Sequence, residues 1–458
     1  MSALDLPAEF PPVPVEQWED AIRKDLKGAD YDKRLLWRTD EGIALRPYAT
    51  SRDMELMEGW LRTAPGEYPF VRGSGRAWQP VEAGLEPRAD ILADAWHNRG
   101  ATAVEEIAYM LAAGAEMLEA AGVDVAPKLV CRFAVGSQFF VEIAKLRAAR
   151  LTWAQVVEAF GGSREAACLR IHAVTATANK TLYDAGNNLL RASAEALAAV
   201  IGGCDWLTVI PFRFDDHLAR NIPRILREEA YLDRVADPAG GSYAIEVLTD
   251  QLAREAWKVF QQVEAAGGFA IYRDSGALDR AIGASRARKE KAAAERRRVL
   301  VGTNAYPNLA DRTDAELPAA LQTWRVAGLF ERLRRRTERH ERRTGRVPRV
   351  LLLESGDEKM RRARSAFCAG FFGCAGFETV TRRELEPADL VVLCSADAEY
   401  GELAARMVPL TDRPVIVAGY PKDQVEALTA AGVAGFVYLG SNAVETLEQW
   451  QDRLGMGD

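Results

Sequence analysis

Short apolar runs alternate with segments of helical periodicity along most of the chain. Residues 129–135, 169–174 and 205–211 are compact apolar runs of strand length. Between such runs lie segments like 138–150, in which apolar residues recur every three to four positions, as they do on the buried face of a helix. Strands that alternate with helices predict an α/β protein built on a parallel sheet or a barrel.

The same pattern predicts the other elements of this region. Gly and Pro residues mark a loop at 65–73 and a turn at 237–242. The remaining predicted helices are 18–26, 51–62, 101–121, 187–201, 215–229 and 250–265, and the remaining predicted strands are 42–46, 91–95 and 243–246.

Residues 348–458 repeat the alternation on a smaller scale. Five βα steps in so short a segment predict a flavodoxin-like, doubly wound domain, which places ligands at the carboxyl ends of its strands. The predicted strands are 349–353, 377–381, 389–394, 414–418 and 435–439, with helices such as 360–374 and 422–431 between them.

Two highly charged segments, 280–298 and 325–346, precede this domain. In the second segment, glutamates are interleaved with many arginines, as on a solvated helix. We interpret it as a helical linker or a partner-facing helix rather than a nucleic-acid-binding one. The predicted organisation is an N-terminal arm for partner contacts (1–62), a partial β/α barrel (63–305), a charged helical linker (306–347) and the doubly wound domain (348–458).

Composition excludes several classes of protein. Of the 458 residues, 48% are hydrophobic and 27% charged, the proportions of a globular protein. The net charge of -7 argues against nucleic-acid binding, and no apolar run reaches the roughly 18 residues that a membrane span needs. The first residues lack the features of a signal peptide, so we expect a cytoplasmic protein. Six cysteines without CxxC spacing and four scattered histidines predict free thiols and no metal site.

Several segments, taken in order, resemble the methylmalonyl-CoA mutase family. The segment ARSAFCAGFFGCAGFE at 363–378 is similar to the C-terminal domain of the family's small subunits. Each segment alone is a weak signal, and their number and order carry the resemblance. The others include PGEYPFVRG at 65–73, GATAVEEIAY at 100–109, EIAKLRAAR at 142–150, DPAGGSYAIEVLT at 237–249 and VGTNAYPN at 301–308.

The resemblance implies a TIM-type barrel that holds acyl-CoA along its axis, followed by a cobalamin-binding domain. The family's reaction is a radical interconversion of methylmalonyl-CoA and succinyl-CoA, for which adenosylcobalamin supplies the radical. Resemblance to a small subunit also implies a heterodimer with a large catalytic subunit.

The cobalt-binding pattern of the family is missing. Catalytic chains carry an Asp-x-His-x-x-Gly motif after the first strand of the cobalamin domain, and its histidine ligates cobalt. Residues 350–380 contain no histidine, and gapless counting from Gly376 places Arg361 near the ligand position. An arginine has no lone pair to offer a metal. We therefore predict that this chain binds no cofactor and that adenosylcobalamin belongs to the partner subunit.

The catalytic positions of the barrel differ as well. Gapless counting places Val81 and Ala83 where catalytic chains carry an arginine and a tyrosine, and Ala95 where they carry a histidine. His97 lies two residues farther on and, in a strand, would face the same side as residue 95. His97 and Tyr183 therefore remain catalytic candidates as proton donors.

Arg72, Arg76 and Trp78 are the candidate substrate-binding residues. Arginine pairs well with phosphates, so acyl-CoA is the ligand that they suggest. The alternative for Arg72 is a hydrogen bond to loop carbonyls or an ion pair with Glu67.

The barrel part of the chain is too short for a complete barrel, which needs eight strands. Only 21 residues lie between Trp78 and Gly100, where the family has most of the first half of its barrel, and about five strands can be proposed before residue 300. Open sheet edges and an uncovered apolar face invite partner contacts. We expect either a large catalytic subunit or a second copy of this chain to pack there.

The sequence thus favours a non-catalytic small subunit of a methylmalonyl-CoA mutase-type isomerase, inactive alone, that stabilises or assembles the holoenzyme. One alternative is an acyl-CoA-binding or regulatory module of the same fold without a mutase partner. Another is a divergent enzyme that uses His97 or Tyr183.

Overall fold

A computed structural model describes residues 13–82, 84–313 and 323–457 of the chain. The strands are β1 (Trp37–Arg38), β2 (Ala44–Leu45), β3 (Gln79–Pro80), β4 (Ile91–Leu92), β5 (Val130–Val135), β6 (Arg170–Thr175), β7 (Trp206–Thr208), β8 (Arg349–Glu354), β9 (Glu378–Arg382), β10 (Leu390–Cys394), β11 (Val415–Ala418) and β12 (Phe436–Val437).

Helices alternate with these strands. The α-helices are α1 (Val15–Asp25), α2 (Tyr31–Leu35), α3 (Ser51–Met54), α4 (Glu58–Leu61), α5 (Ala93–His97), α6 (Ala103–Ala121), α7 (Phe139–Ala159), α8 (Gly186–Ile201), α9 (Asp216–Arg224), α10 (Tyr243–Ala265), α11 (Phe269–Asp274), α12 (Ala277–Ala294), α13 (Gly328–Thr344), α14 (Glu358–Gly373), α15 (Tyr400–Met407), α16 (Val425–Ala430) and α17 (Ala443–Arg453). One turn of π-helix, Ile225–Glu229, extends α9.

The larger sheet has five parallel strands in the order β3–β7–β6–β5–β4. Its centre is the six-residue pairing of β5 with β6, whereas the two outer strands have two residues each. The first strand of this sheet in the chain pairs with the last one, because Gln79 lies opposite Trp206. The predicted α/β class and the three central strands are confirmed, and within the described residues the sheet does not close into a barrel.

Three predictions for this region were wrong or incomplete. Residues 243–246, predicted as a strand, form the first turn of α10, because Ile245, Leu248 and Leu252 bury one helical stripe. The predicted strand 91–95 ends at Leu92 and continues as the helix α5. Strand β3 was not predicted, since two residues give no periodicity, and its Pro80 is tolerated because β3 lies at an edge.

Three long helices, α6, α7 and α10, pack against one another beside this sheet. The middle helix α7 is buried around nearly its whole circumference, charged residues included. A close contact joins α6 to α7, since a Cβ at Gly114 would lie 2.4 Å from the ring of Trp153. Only glycine fits there, so this position fixes how near the two helices approach.

The C-terminal unit is a second five-stranded parallel sheet in the order β12–β11–β10–β8–β9. Alternate residues of its central strands face two separate apolar clusters, one on each side of the sheet, with Leu352 in one cluster and Leu353 in the other. This order and this layering confirm the predicted flavodoxin-like, doubly wound domain.

The arginine-rich segment forms a packed helix, α13, rather than only a solvated linker. Phe330 and Leu333 lie in the core of the C-terminal unit, and Gln451 donates to the Leu333 carbonyl at 2.6 Å. Glu331 faces the other way and accepts from the Leu182 amide at 2.8 Å. The helix therefore contacts both units. Residues 314–322 of the predicted linker lie outside the described residues.

The N-terminal arm packs lightly on the rest of the chain. Helix α1 buries none of its residues, and Trp18 is 48% exposed. Strands β1 and β2 form a small antiparallel pair near position 42–46, where a strand was predicted. Residues 1–12 of the arm lie outside the described residues. Among the helices that are described, none has the length and apolar character to cross a membrane.

Candidate functional site

The candidate residues lie at opposite ends of the larger sheet. His97 ends α5, directly after β4, and faces Gly136 just beyond β5, so it lies at the carboxyl ends of the strands. Arg72, Arg76 and Trp78 come directly before β3 and lie at the amino ends. The structure therefore does not bring the two groups together into one site.

His97 is held by a buried carboxylate. Its Nδ1 lies 3.0 Å from Glu106 Oε2, on the first turns of α6. Because residues 93–97 are helical, positions 95 and 97 do not share a face, as they would in the strand that was predicted. His97 is thus not a shifted equivalent of residue 95.

Glu106 lies at the centre of a network of charged residues, and its side chain has no exposure to solvent. Lys145 of α7 donates to Glu106 Oε2 at 2.8 Å and to the Ala134 carbonyl at 2.5 Å, and it also pairs with Glu142 at 2.5 Å. Burial alone would raise the pKa of Glu106, but Lys145 and His97 outweigh it and lower that pKa. Burial alone would lower the pKa of Lys145, yet the two carboxylates raise it.

The space beside His97 is small. Its volume is about 50 Å³, enough for a few water molecules and far below the size of a usual ligand pocket. Trp324 and Val326, from the segment that leads into α13, line it together with the ion pair of Arg298 and Asp40. A volume of this size is too small for an acyl-CoA, and the contact with Glu106 holds the imidazole beside it.

Arg72 ties loops together at the amino ends. Its Nε donates to Asp237 Oδ2 at 2.8 Å and its Nη1 donates to the Thr63 carbonyl at 3.0 Å. The expected bond to a loop carbonyl is present, whereas Glu67 bonds to the amide of Ala64 instead of pairing with Arg72. Asp237 also pairs with the buried Arg147, so it joins the loop before β3 to α7.

A cleft of about 200 Å³ opens beside this cluster and is lined by Arg72, Arg76 and Trp78. Trp78 is only 4% exposed, and its indole N–H donates to the Leu232 carbonyl at 3.3 Å. Arg150 lies fully buried behind Gly203, one of the residues that line the cleft, and its Nη1 has no hydrogen-bond partner among the described residues. The cleft is therefore lined by charges of both signs, since Asp233 and Asp237 line it as well, and Arg150 is separated from it by Gly203.

Tyr183 lies far from both groups, under α13. The Arg334 guanidinium is 4.3 Å from the centre of its ring, and the residue is 1% exposed. Burial, and then the Glu338 carboxylate, raise the pKa of Tyr183 well above its usual range. A phenol in this state is a poor acid at neutral pH, so packing between the two units is the role that its position supports.

In the C-terminal unit, Arg361 lies on the first turn of α14, after β8. Its Nη1 donates to the Gly356 carbonyl at 2.7 Å, and its Nε is 3.7 Å from Glu354. Arg364, one turn further along α14, pairs with Asp397 at 2.9 Å. Its Nη1 lies 2.9 Å from the position that a Cβ of Gly419 would take. These two arginines occupy the carboxyl edge of the sheet.

Comparison with known proteins decides the family. The model of the family described as methylmalonyl-CoA mutase matches residues 89–351, more than half of the chain. The chain belongs to the methylmalonyl-CoA mutase family.

The methylmalonyl-CoA mutase small subunit of Porphyromonas gingivalis is 30% identical over 98% of this chain and 98% of its own length. That alignment runs over 614 residues, more than the 458 of this chain, so it contains gaps in this chain. The small subunit of Streptomyces virginiae is 35% identical over 79% of this chain but over 63% of its own length. Methylmalonyl-CoA mutase of Escherichia coli is 38% identical over 45% of this chain and 31% of its own length.

Adenosylcobalamin, which the mutase family implies, does not fit the residues of this member's C-terminal unit. The loop after β8 contains no histidine, and Arg361 bonds to the Gly356 carbonyl of that loop. Arg364 fills the groove beside Gly419, at the end of β11. A cationic guanidinium donates hydrogen bonds and cannot coordinate cobalt.

Sequence reasoning missed the buried charges of α7 and their partners. The signal was present, because Glu142, Lys145, Arg147 and Arg150 crowd into nine residues of one helix. A helix with one solvated face carries such residues on that face, whereas α7 buries all four. Their partners Glu106, Asp205 and Asp237 lie on distant segments, and only the fold brings them together.

Proposed function

We propose that this chain is the non-catalytic small subunit of a methylmalonyl-CoA mutase-type isomerase, and that it stabilises or assembles the holoenzyme. The observation that carries the proposal is the switch point of the C-terminal unit, where Arg361 stands near the place of a cobalt ligand. In this proposal the large catalytic subunit binds adenosylcobalamin and interconverts methylmalonyl-CoA and succinyl-CoA. The names of the small-subunit relatives support the assignment.

The strand order supports a barrel that has lost three neighbouring strands. In a closed eight-stranded barrel the eighth strand pairs with the first. Here β7, the last strand of the sheet, pairs with β3, the first, while β4 to β7 follow one another in chain order. The sheet therefore matches strands one and five to eight, and the missing strands two to four fall between Pro80 and Ile91.

The open side between β3 and β4 is where we place a partner. Uncovered strand edges pair readily with other chains, and natural proteins seldom leave them free. A large catalytic subunit or a second copy of this chain would cover this side. The N-terminal arm, with half-exposed Trp18 and Trp37, is the second surface that we assign to partner contacts.

Co-expression with a methylmalonyl-CoA mutase large subunit from the same source tests the proposal. We expect a stable complex by size-exclusion chromatography with light scattering, and mutase activity that needs the large subunit. Trp18→Ala should weaken the complex, whereas Leu410→Ala, at another exposed apolar position, should not. Mutase activity of this chain alone, or failure to form either the complex or a self-association, would contradict the proposal.

A second candidate function is acyl-CoA binding at the cleft before β3. The exposed Arg76, which lines the cleft, favours it, because a guanidinium suits a phosphate. Isothermal titration with CoA and with acetyl-CoA tests this function, with Arg76→Ala as the variant and Arg413→Ala, exposed on the C-terminal unit, as its control. Binding that is equal in both variants would exclude this cleft.

A further inference from the structure

Two loops meet at the switch point of the C-terminal unit. One follows β8 and contains Gly356 and Asp357, and the other follows β10 and runs from Ser395 to Glu399. Strands β8 and β10 are neighbours in the sheet, and the chain winds away from them in opposite directions. In open α/β sheets this is the place where ligands bind.

One oxygen of Glu399 gathers the polar groups of both loops. Oε2 accepts from the amide of Asp357 at 3.3 Å, from the amide of Ala396 at 3.1 Å and from the hydroxyl of Ser395. Converging main-chain N–H groups form the nests that bind anions in other proteins. The Ser395 hydroxyl, and then the Ala396 amide, hold the pKa of Glu399 below its usual value.

Gly356 makes room for this carboxylate. A Cβ at position 356 would lie 2.0 Å from Glu399 Oε2, and the residue has a φ of +69°, which favours glycine. Arg361 donates to the carbonyl of the same glycine and so holds the loop from its other side. The glycine therefore provides a cradle into which one carboxylate fits.

We propose that the switch point of this unit is an oxyanion site whose ligand is the chain's own Glu399 carboxylate. By filling it, Glu399 holds the two loops in place without any external cofactor. A small carboxylate is the class of ligand that the site takes when the Glu399 side chain is removed. The inference rests on the proposed function only in that no cobalamin occupies the unit, and its test needs neither a partner nor mutase activity.

The test is chemical rescue of a truncated side chain in the full chain. Glu399→Ala should lower the melting temperature, and sodium acetate should raise it again in a saturable way relative to sodium chloride at equal ionic strength. Glu402→Ala, in the first turn of α15 and exposed, is the matched control. Acetate that raises the melting temperatures of both variants and of the unmodified chain equally, or that raises none, would overturn the proposal.

A second measurement decides the question if Glu399→Ala does not fold. Glu399→Gln keeps the shape of the side chain but removes its charge. Hydrogen exchange at the amides of Asp357 and Ala396 should then be faster than in Glu402→Gln. Equal exchange rates in the two variants would show that the carboxylate does not hold these loops.

Discussion

Replacing Lys145 by methionine should cost a large part of the stability of the barrel-like unit. The ammonium group lies between Glu106 and Glu142, and neither it nor Glu106 has any exposed side-chain surface. Methionine keeps most of the volume but removes the ammonium group that the two carboxylates share. Removal of one partner from such a buried pair costs about 3 to 5 kcal/mol.

The stability lost in Lys145→Met should depend on pH. In the unmodified chain the lowered pKa of Glu106 contributes stability above the unfolded value of about 4.3, and this contribution is lost as the pH falls through the folded value. In Lys145→Met, Glu106 stays buried but loses the cation that lowers its pKa most, so it takes up a proton more readily. The difference in unfolding free energy should therefore be larger at pH 7.5 than at pH 5.5.

Urea unfolding followed by circular dichroism at the two pH values measures this difference. Lys258→Met is the control, because its pair with Glu255 at 2.7 Å is exposed and such pairs contribute less than about 1 kcal/mol. A loss for Lys145→Met no larger than that of the control, or a loss independent of pH, would refute the reasoning.

Three further predictions concern other buried or altered positions. Burial lowers the pKa of His172 to about 4, so the chain should lose about 3 kcal/mol of stability between pH 7 and pH 4. Thermal melts should show a smaller loss in His172→Gln, and an unchanged loss would contradict this assignment. Gly114→Ala should cost about 1 to 3 kcal/mol in urea unfolding, whereas Gly283→Ala, with open space around it, should not, and equal effects would argue against the close helix contact. Absorbance titration with hydroxocobalamin should show no imidazole-ligated spectrum, even for Arg361→His, and its appearance in that variant would mean that one side chain alone blocks the site.

The fold could be predicted where apolar runs are long enough to show a period. The six-residue strands β5 and β6 and the five strands of the C-terminal unit have this length or lie in regular βα steps. Strand β3 has two residues and is specified by its pairing with β7 and not by its own pattern. Residues 243–246 were predicted as a strand because apolar and polar residues alternate over this short segment. The buried apolar positions that show the helical period extend as far as Leu252.

The candidate residues were less predictable than the fold. Arg72 and Trp78 line one cleft, since they are close in sequence, and substrate binding there stays a prediction. His97 could not be placed, because its orientation depends on whether residues 93–97 form a strand or a helix. The role of Glu399 has no local signature at all, since the amide groups that it accepts from belong to two loops and one of them lies 42 residues away.

The pairing of β3 with β7 has a consequence for synthesis on the ribosome. Residues 79–80 emerge early, but the strand that pairs with them among the described residues, at 206–208, emerges about 125 residues later, which takes about 6 to 25 s at ordinary elongation rates. Over that interval the chain before β4 has no sheet to join, while β4, β5 and β6 can assemble in the order in which they are made. The nascent N-terminal segment should therefore be the substrate for chaperones and proteases, and the last step of sheet assembly should be the return of the first strand.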